Sequence, residues 1–203
     1  MNPHTRREQI AGPVGALECA INDPTDAPRG VAVVCHPHPL HGGTMDNKVV
    51  QTLARAFVQI GNRCVRFNFR GIGASQGAWD EGAGEVDDAL AVIAAFREPA
   101  LPLLLAGFSF GGYVAASAAH RLPEGAKPQR LVLVGPATRS FTTPAVPPDT
   151  LVIHGEHDDV VPLQATLDWA RPLSLPITVV PGGGHFFHGQ LPLLKDIVLR
   201  GLH

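Results

Sequence analysis

Apolar residues fall along this chain in two alternating rhythms. Compact apolar runs of strand length occur at 31–35, 103–108, 130–135, 150–154 and 175–180, with a further strand-like stretch at 63–68. Runs of this kind suit strands covered on both faces. Between them, apolar positions recur at helical spacing. Over 47–60 they are Val49, Val50, Leu53, Phe57 and Ile60, and Gly61 closes the segment. Over 84–96, Val86, Leu90, Ile93 and Ala94 face inward, and Glu85, Asp87 and Asp88 sit early, where the helix dipole favours acids. Further helices are expected at 110–121, at 163–170 and within 185–202. Ahead of this series, residues 6–22 read as two short strands around Gly12-Pro13-Val14-Gly15, a hairpin opening the sheet. Strands alternating with helices force parallel pairing through right-handed crossovers, with helices on both faces. Ligands of such sheets bind outside the carboxyl ends of the strands. The glycine- and histidine-rich loops of this chain all fall at such ends.

The stretch Leu103-Leu104-Leu105-Ala106-Gly107-Phe108-Ser109-Phe110-Gly111-Gly112-Tyr113 stands out. A buried-strand run meets a tight Gly-x-Ser-x-Gly turn, and small residues at helical spacing follow. Strand, sharp turn and helix together make the motif a nucleophile elbow, which pushes the Ser109 hydroxyl clear of the sheet edge. The helix beginning near Phe110 aims its first N–H groups at the same spot, where negative charge can be held.

Composition narrows the field. A chain of 203 residues with 45% hydrophobic and 17% charged residues predicts one globular domain, spanning 1–203, with a substantial core. A net charge of -2 without a basic cluster argues against nucleic acid as a partner. Cys19, Cys35 and Cys64 are odd in number and lack a CxxC spacing, which points to buried free thiols in a reducing compartment. No run reaches the length of a membrane span and the N-terminus leads into no signal-like apolar core, so a cytoplasmic protein without a membrane partner is expected.

Serine is a weak nucleophile alone and needs a base oriented by a carboxylate. Two later loops offer them. His154-Gly155-Glu156-His157-Asp158-Asp159-Val160-Val161-Pro162 carries Asp158, with Asp159 as its rival, and Gly184-His185-Phe186-Phe187-His188 carries His185, with His188 as its rival. The glycine run before His185 favours it, since that run allows a sharp turn toward Ser109. His36, His38 and His41 on the loop after the first buried strand could be read as a metal cluster, but no Cys or carboxylate nearby completes a tetrahedral set. A loop pinned by ring hydrogen bonds is the expectation, with no metal. Gly71-x-Gly73 lacks the third glycine of a dinucleotide fingerprint. Trp79 and Trp169 are expected to pack.

Four signatures in order carry a resemblance: the His36-Pro37-His38-Pro39-Leu40-His41-Gly42-Gly43 loop, Arg70-Gly71-Ile72-Gly73-Ala74-Ser75, the Gly107–Gly111 elbow and the two late loops. From about Val31 to the C-terminus the chain resembles an α/β-hydrolase, in particular small bacterial members close to dienelactone-hydrolase-like and acyl-peptidase-like sequences. The resemblance implies a three-layer fold, a mostly parallel twisted sheet with helices on both faces, and no cofactor. It implies Ser109 as nucleophile, Asp158 as triad acid and His185 as base. It implies an oxyanion hole from the amide of Phe110 and one from the early loop. Pro37 and Pro39 carry no N–H, which leaves His38; related hydrolases have Gly where Pro37 stands. The segment 135–150, where such hydrolases place a lid, is too short for a helical cap. An open, shallow site shaped by Leu40, Phe108, Phe110, Phe141, Phe186 and Phe187 follows, unless a second subunit of a homodimer deepens it. The implied activity is a serine hydrolase of small-molecule carboxylic esters or thioesters, with a peptidase or acyltransferase as the alternative.

Overall fold

In the computed structural model, which describes residues 5–202, eight strands form one sheet in the order β1-β2-β4-β3-β5-β6-β7-β8. The hairpin β1 (Arg6–Gly12) and β2 (Gly15–Asn22) turns through Pro13 and Val14, and β2 runs antiparallel to β4 (Asn62–Phe67). From there every pairing is parallel, through β3 (Gly30–Cys35), β5 (Leu103–Phe108), β6 (Arg130–Val134), β7 (Leu151–Gly155) and β8 (Ile177–Val180). The last strand is shorter than its apolar run predicts, because Pro176 has no N–H to give the ladder and β8 starts just after it.

All six residues of β3 and of β5 are buried, as continuous apolar runs require of central strands. Helices α1 (Lys48–Gln59) and α5 (Leu191–Gly201) cover one face. There Val50, Leu53 and Phe57 of α1 and Leu194 and Val198 of α5 meet Val34, Leu104, Ala106 and Val132 of the sheet. Helices α2 (Ala83–Phe96) and α3 (Phe110–Arg121) cover the other, over Val33, Val65, Leu105 and Leu133, and Ala170 of α4 (Leu163–Ala170) joins this second cluster. Asn47 caps α1, its side chain accepting from the amides of Val49 and Val50. The register of α2 differs from the expected one: Ala94 faces solvent, whereas Glu85 and Asp88 are fully buried.

The chain enters the parallel part at β3, crosses through α1 to β4 on one side, then returns through α2 to β5 on the other. Successive right-handed crossovers in opposite directions put α1 and α2 on opposite faces. In sheets of this kind the divergence opens a crevice outside the carboxyl ends of β3 and β5, the switch point where ligands bind. The loop of His38 and the turn of Ser109 meet there. The segment 135–150 carries turns and no helix, so no cap covers the crevice.

Candidate active site

Ser109 sits between β5 and α3 with φ 57° and ψ −120°, a conformation that costs energy in any residue with a Cβ. The surroundings hold it. Its amide donates to the Val134 carbonyl at 2.9 Å, and its own carbonyl accepts the amides of Gly112 and Ala137. The elbow glycines serve close approach. A Cβ on Gly107 would stand 1.9 Å from the Gly111 carbonyl oxygen, and one on Gly111 would stand 2.2 Å from that of Cys35, at the end of β3. Gly111 thus lets α3 seat against the neighbouring strand as well as its own.

Ser109, Asp158 and His185, remote in sequence, come together. His185 Nε2 lies 3.0 Å from Ser109 Oγ, and His185 Nδ1 lies 2.7 Å from Asp158 Oδ2. All three are buried, Ser109 showing only 7% of its surface. Asp158 follows β7 and folds back on its own turn, its Oδ1 accepting the amides of Val160 and Val161. Its rival Asp159 is exposed. Glu156 is also exposed and accepts the amide of Gly182. His185 follows β8 in a turn closed by the Phe187 amide on the Gly184 carbonyl at 3.1 Å. The strain of that turn falls on Phe187, at φ 51°, and not on Gly184, which has neither a positive φ nor a neighbour crowding its Cβ position. Within the glycine run before His185, the left-handed conformation is taken by its first member, Gly182, at φ 65°. His188 is exposed, in the turn ahead of α5.

Among the described residues, the amides of His38 and Phe110 have no hydrogen-bond acceptor. The loop that carries His38 is pinned from beneath by His36. That buried ring donates from Nδ1 to the Pro37 carbonyl at 2.6 Å and accepts the Phe69 amide on Nε2 at 3.1 Å. Burial pushes its pKa down to about 3, against the pull of the Pro37 carbonyl, so the ring is neutral. Both its nitrogens are engaged, and among the described residues no three His, Cys, Asp or Glu side chains are grouped to hold a metal ion. The His38 ring stacks on His41 at 4.3 Å and leans on Trp79 at 4.6 Å, and burial, then the neighbouring His41, lower its pKa.

The expected rim divides in two. Leu40 and Phe186 are exposed and Phe141 is half-buried, stacked on Tyr113 at 4.8 Å. Phe108, the Phe110 ring and Phe187 belong to the core and line no surface. Phe108, last on β5, points to the α1 face and lies under the His185 ring at 4.8 Å, so it supports that ring instead of meeting a ligand. Trp79 and Trp169 pack against the second cluster, and the indole N–H of Trp169 ties down the capless segment at the Thr143 carbonyl.

Sequence reasoning passed over two groups. Asp88 receives Arg70 through its amide, Nε and NH2 at 2.8–3.1 Å, with both side chains buried, and this clamps the start of the loop that carries Trp79. Asp88 read as one more acid in the first half of a helix, and nothing local marked it as a partner for Arg70. His154, buried on β7 directly behind Asp158, is the other.

A mostly parallel sheet with helices on both faces, and a serine on a strained turn at the switch point, defines an α/β-hydrolase without a lid. The family model for serine aminopeptidase S33 hydrolases matches residues 26–148, a span that includes the elbow and ends before Asp158. The chain belongs to this family of α/β-hydrolases. A lidless α/β serine hydrolase of Xanthomonas campestris, XC6422, superposes with a TM-score of 0.88 at 39% identity, over 100% of this chain and 95% of that one. An alpha-beta serine hydrolase homologue of Coxiella burnetii does so at 0.87 and 41%, over 98% and 97%. The uncharacterized protein RP471 of Rickettsia prowazekii is 33% identical over 193 residues, covering 87% of this chain and 79% of its own.

Proposed function

We propose that this hydrolase cleaves carboxylic esters or thioesters of small molecules through an acyl-enzyme on Ser109. The observation that carries the reading is the unbroken hydrogen-bonded chain from Ser109 Oγ through His185 to Asp158 Oδ2. As Oγ attacks the acyl carbon, its proton passes to Nε2 of His185, while Asp158 keeps Nδ1–H in place and faces the imidazolium that forms. The oxyanion is received by the unengaged amides of Phe110 and His38. Collapse returns the proton from His185 to the leaving alcohol or thiol, and a water repeats the sequence to free the acid. The apolar rim of Leu40 and Phe186 suits an acyl chain, and the absence of a cap suits substrates of varied length. The polar machinery is internal to the chain, so a homodimer would add pocket walls and no reacting group.

The test is Ser109→Ala, which should lose p-nitrophenyl acetate turnover by roughly four orders of magnitude or more and lose labelling by a fluorophosphonate probe. An unchanged rate rejects the assignment. The family's description as serine aminopeptidases favours a second reading, peptide hydrolysis at the same serine. A panel of matched esters and amides, with acceptor alcohols present, separates the two and exposes acyl transfer.

A further inference from the structure

We propose that His154 is a positioning residue for the carboxylate of Asp158, aligning it on His185; the proposal rests on the triad reading above. His154 is the fourth residue of β7 and is wholly buried. Its Nε2 lies 2.8 Å from the Val161 carbonyl oxygen and 3.4 Å from Asp158 Oδ2. Both neighbours are acceptors, so Nε2 carries the proton; it donates it to the Val161 carbonyl, and Asp158 Oδ2 lies beside that N–H without a hydrogen bond to it. Nδ1 is then a lone pair, and among the described residues it finds no donor in the core. Burial keeps the ring neutral against the upward pull of the Val161 carbonyl and of Asp158. Simple packing would be served by an apolar side chain without the penalty of an unmatched buried nitrogen. What the ring adds is its one N–H.

That N–H closes a small knot. Asp158 Oδ1 accepts the amides of Val160 and Val161, at 3.0 and 2.7 Å, so the carboxylate is held by the peptides of its own turn. The carbonyl of Val161 returns to His154. Remove the N–H and the Val161–Pro162 peptide loses its anchor, the Val161 amide drifts with the turn, and Oδ2 loses its line on His185 Nδ1. On the far side Gly135 stands close enough that a Cβ there would lie 3.3 Å from Oδ2. The carboxylate is therefore held by the amides of its own turn, with the His154 ring beside Oδ2 and the side-chain-free Gly135, just after β6, leaving it room, and Oδ2 is directed at His185.

The variants are His154→Leu, His154→Gln and His154→Asn, in the full chain. Gln places an amide N–H near the position of Nε2, Leu places none, and Asn is a methylene too short to reach Val161. With p-nitrophenyl acetate, His154→Leu should lower kcat roughly ten- to a hundredfold with KM within about twofold, and Gln should recover to within about threefold of the parent. The far-downfield proton resonance of His185 Nδ1–H should shift or vanish in the Leu variant and return in the Gln variant. A Leu variant with parental kcat and resonance overturns the proposal, as does a Gln variant impaired as badly as Leu. Should Leu fail to fold, equal kcat for Gln and Asn overturns it instead. If the parent is not labelled at Ser109 by a fluorophosphonate, the triad reading fails, while the resonance still reports whether His154 orients Asp158.

Discussion

His36 accepts the amide of Phe69 on Nε2 across 3.1 Å and so ties the end of β3 to the end of β4. The bond requires an unprotonated nitrogen, and burial holds the ring's pKa at about 3. The folded form therefore resists a proton that the unfolded chain takes up near pH 6.5. Between those values the unfolded state binds more protons, so stability is full above about pH 6.5 and falls as pH drops, by up to about 1.4 kcal/mol per unit from this group. His36→Gln removes the titration. Denaturant unfolding at pH 7 and pH 4.5 should show a smaller acid loss in the variant; equal losses would refute the linkage.

Arg70 and Asp88 are both buried and hydrogen-bonded through several atoms, and the bond to Asp88 raises the Arg70 pKa. Asp88→Asn keeps the shape but removes the buried charge opposite the guanidinium, leaving it only the longer contact to the exposed Asp80 at 3.5 Å. It should cost about 3–5 kcal/mol in chemical denaturation. Because this pair clamps the start of the loop carrying Trp79, which touches His38, the variant should also lose the hydrolytic activity proposed above at temperatures where it stays folded. A loss below about 1 kcal/mol would show that the pair is dispensable.

Gly111→Ala drives a methyl to 2.2 Å from the Cys35 carbonyl oxygen and 2.5 Å from that of His36, both backbone atoms that cannot step aside. A loss of about 3 kcal/mol or more is expected, or no soluble protein. Gly125→Ala is the control, since nothing lies within 4 Å of its Cβ position. Its melting temperature should be within about two degrees of the parent.

Cys19, Cys35 and Cys64 are unpaired and buried, and burial raises all three thiols, Cys19 and Cys64 to about 12. A chromogenic disulfide reagent should titrate none of them rapidly in the native protein and all three in guanidinium. Fast native reaction of any would contradict the packing of β2, β3 and β4.

Where a signal is local, the chain alone carried it. The runs at 31–35 and 103–108 marked central strands because a strand covered on both faces has no polar side to show. Gly107, Ser109 and Gly111 marked the elbow because a Cβ at 107 or 111 would come within about 2 Å of a backbone oxygen, which only glycine avoids. The loops bearing Asp158 and His185 were legible because each follows a recognisable strand. Phe108, Phe110 and Phe187 read as shaping the site, but their rings are buried in the core. An aromatic beside a reactive loop reads the same whether it faces a ligand or the core, and only the direction of its Cβ separates the two.

What the order of residues determined by itself is the alternation of elements, the open crevice and the groups able to react there. Tertiary structure alone decided that Arg70 finds its partner 18 residues on, and that His154 lies behind Asp158. Those relations depend on angstrom-scale distances between separate elements, set by how strands twist and how side chains fill the space between layers, and spacing along a chain does not encode such distances.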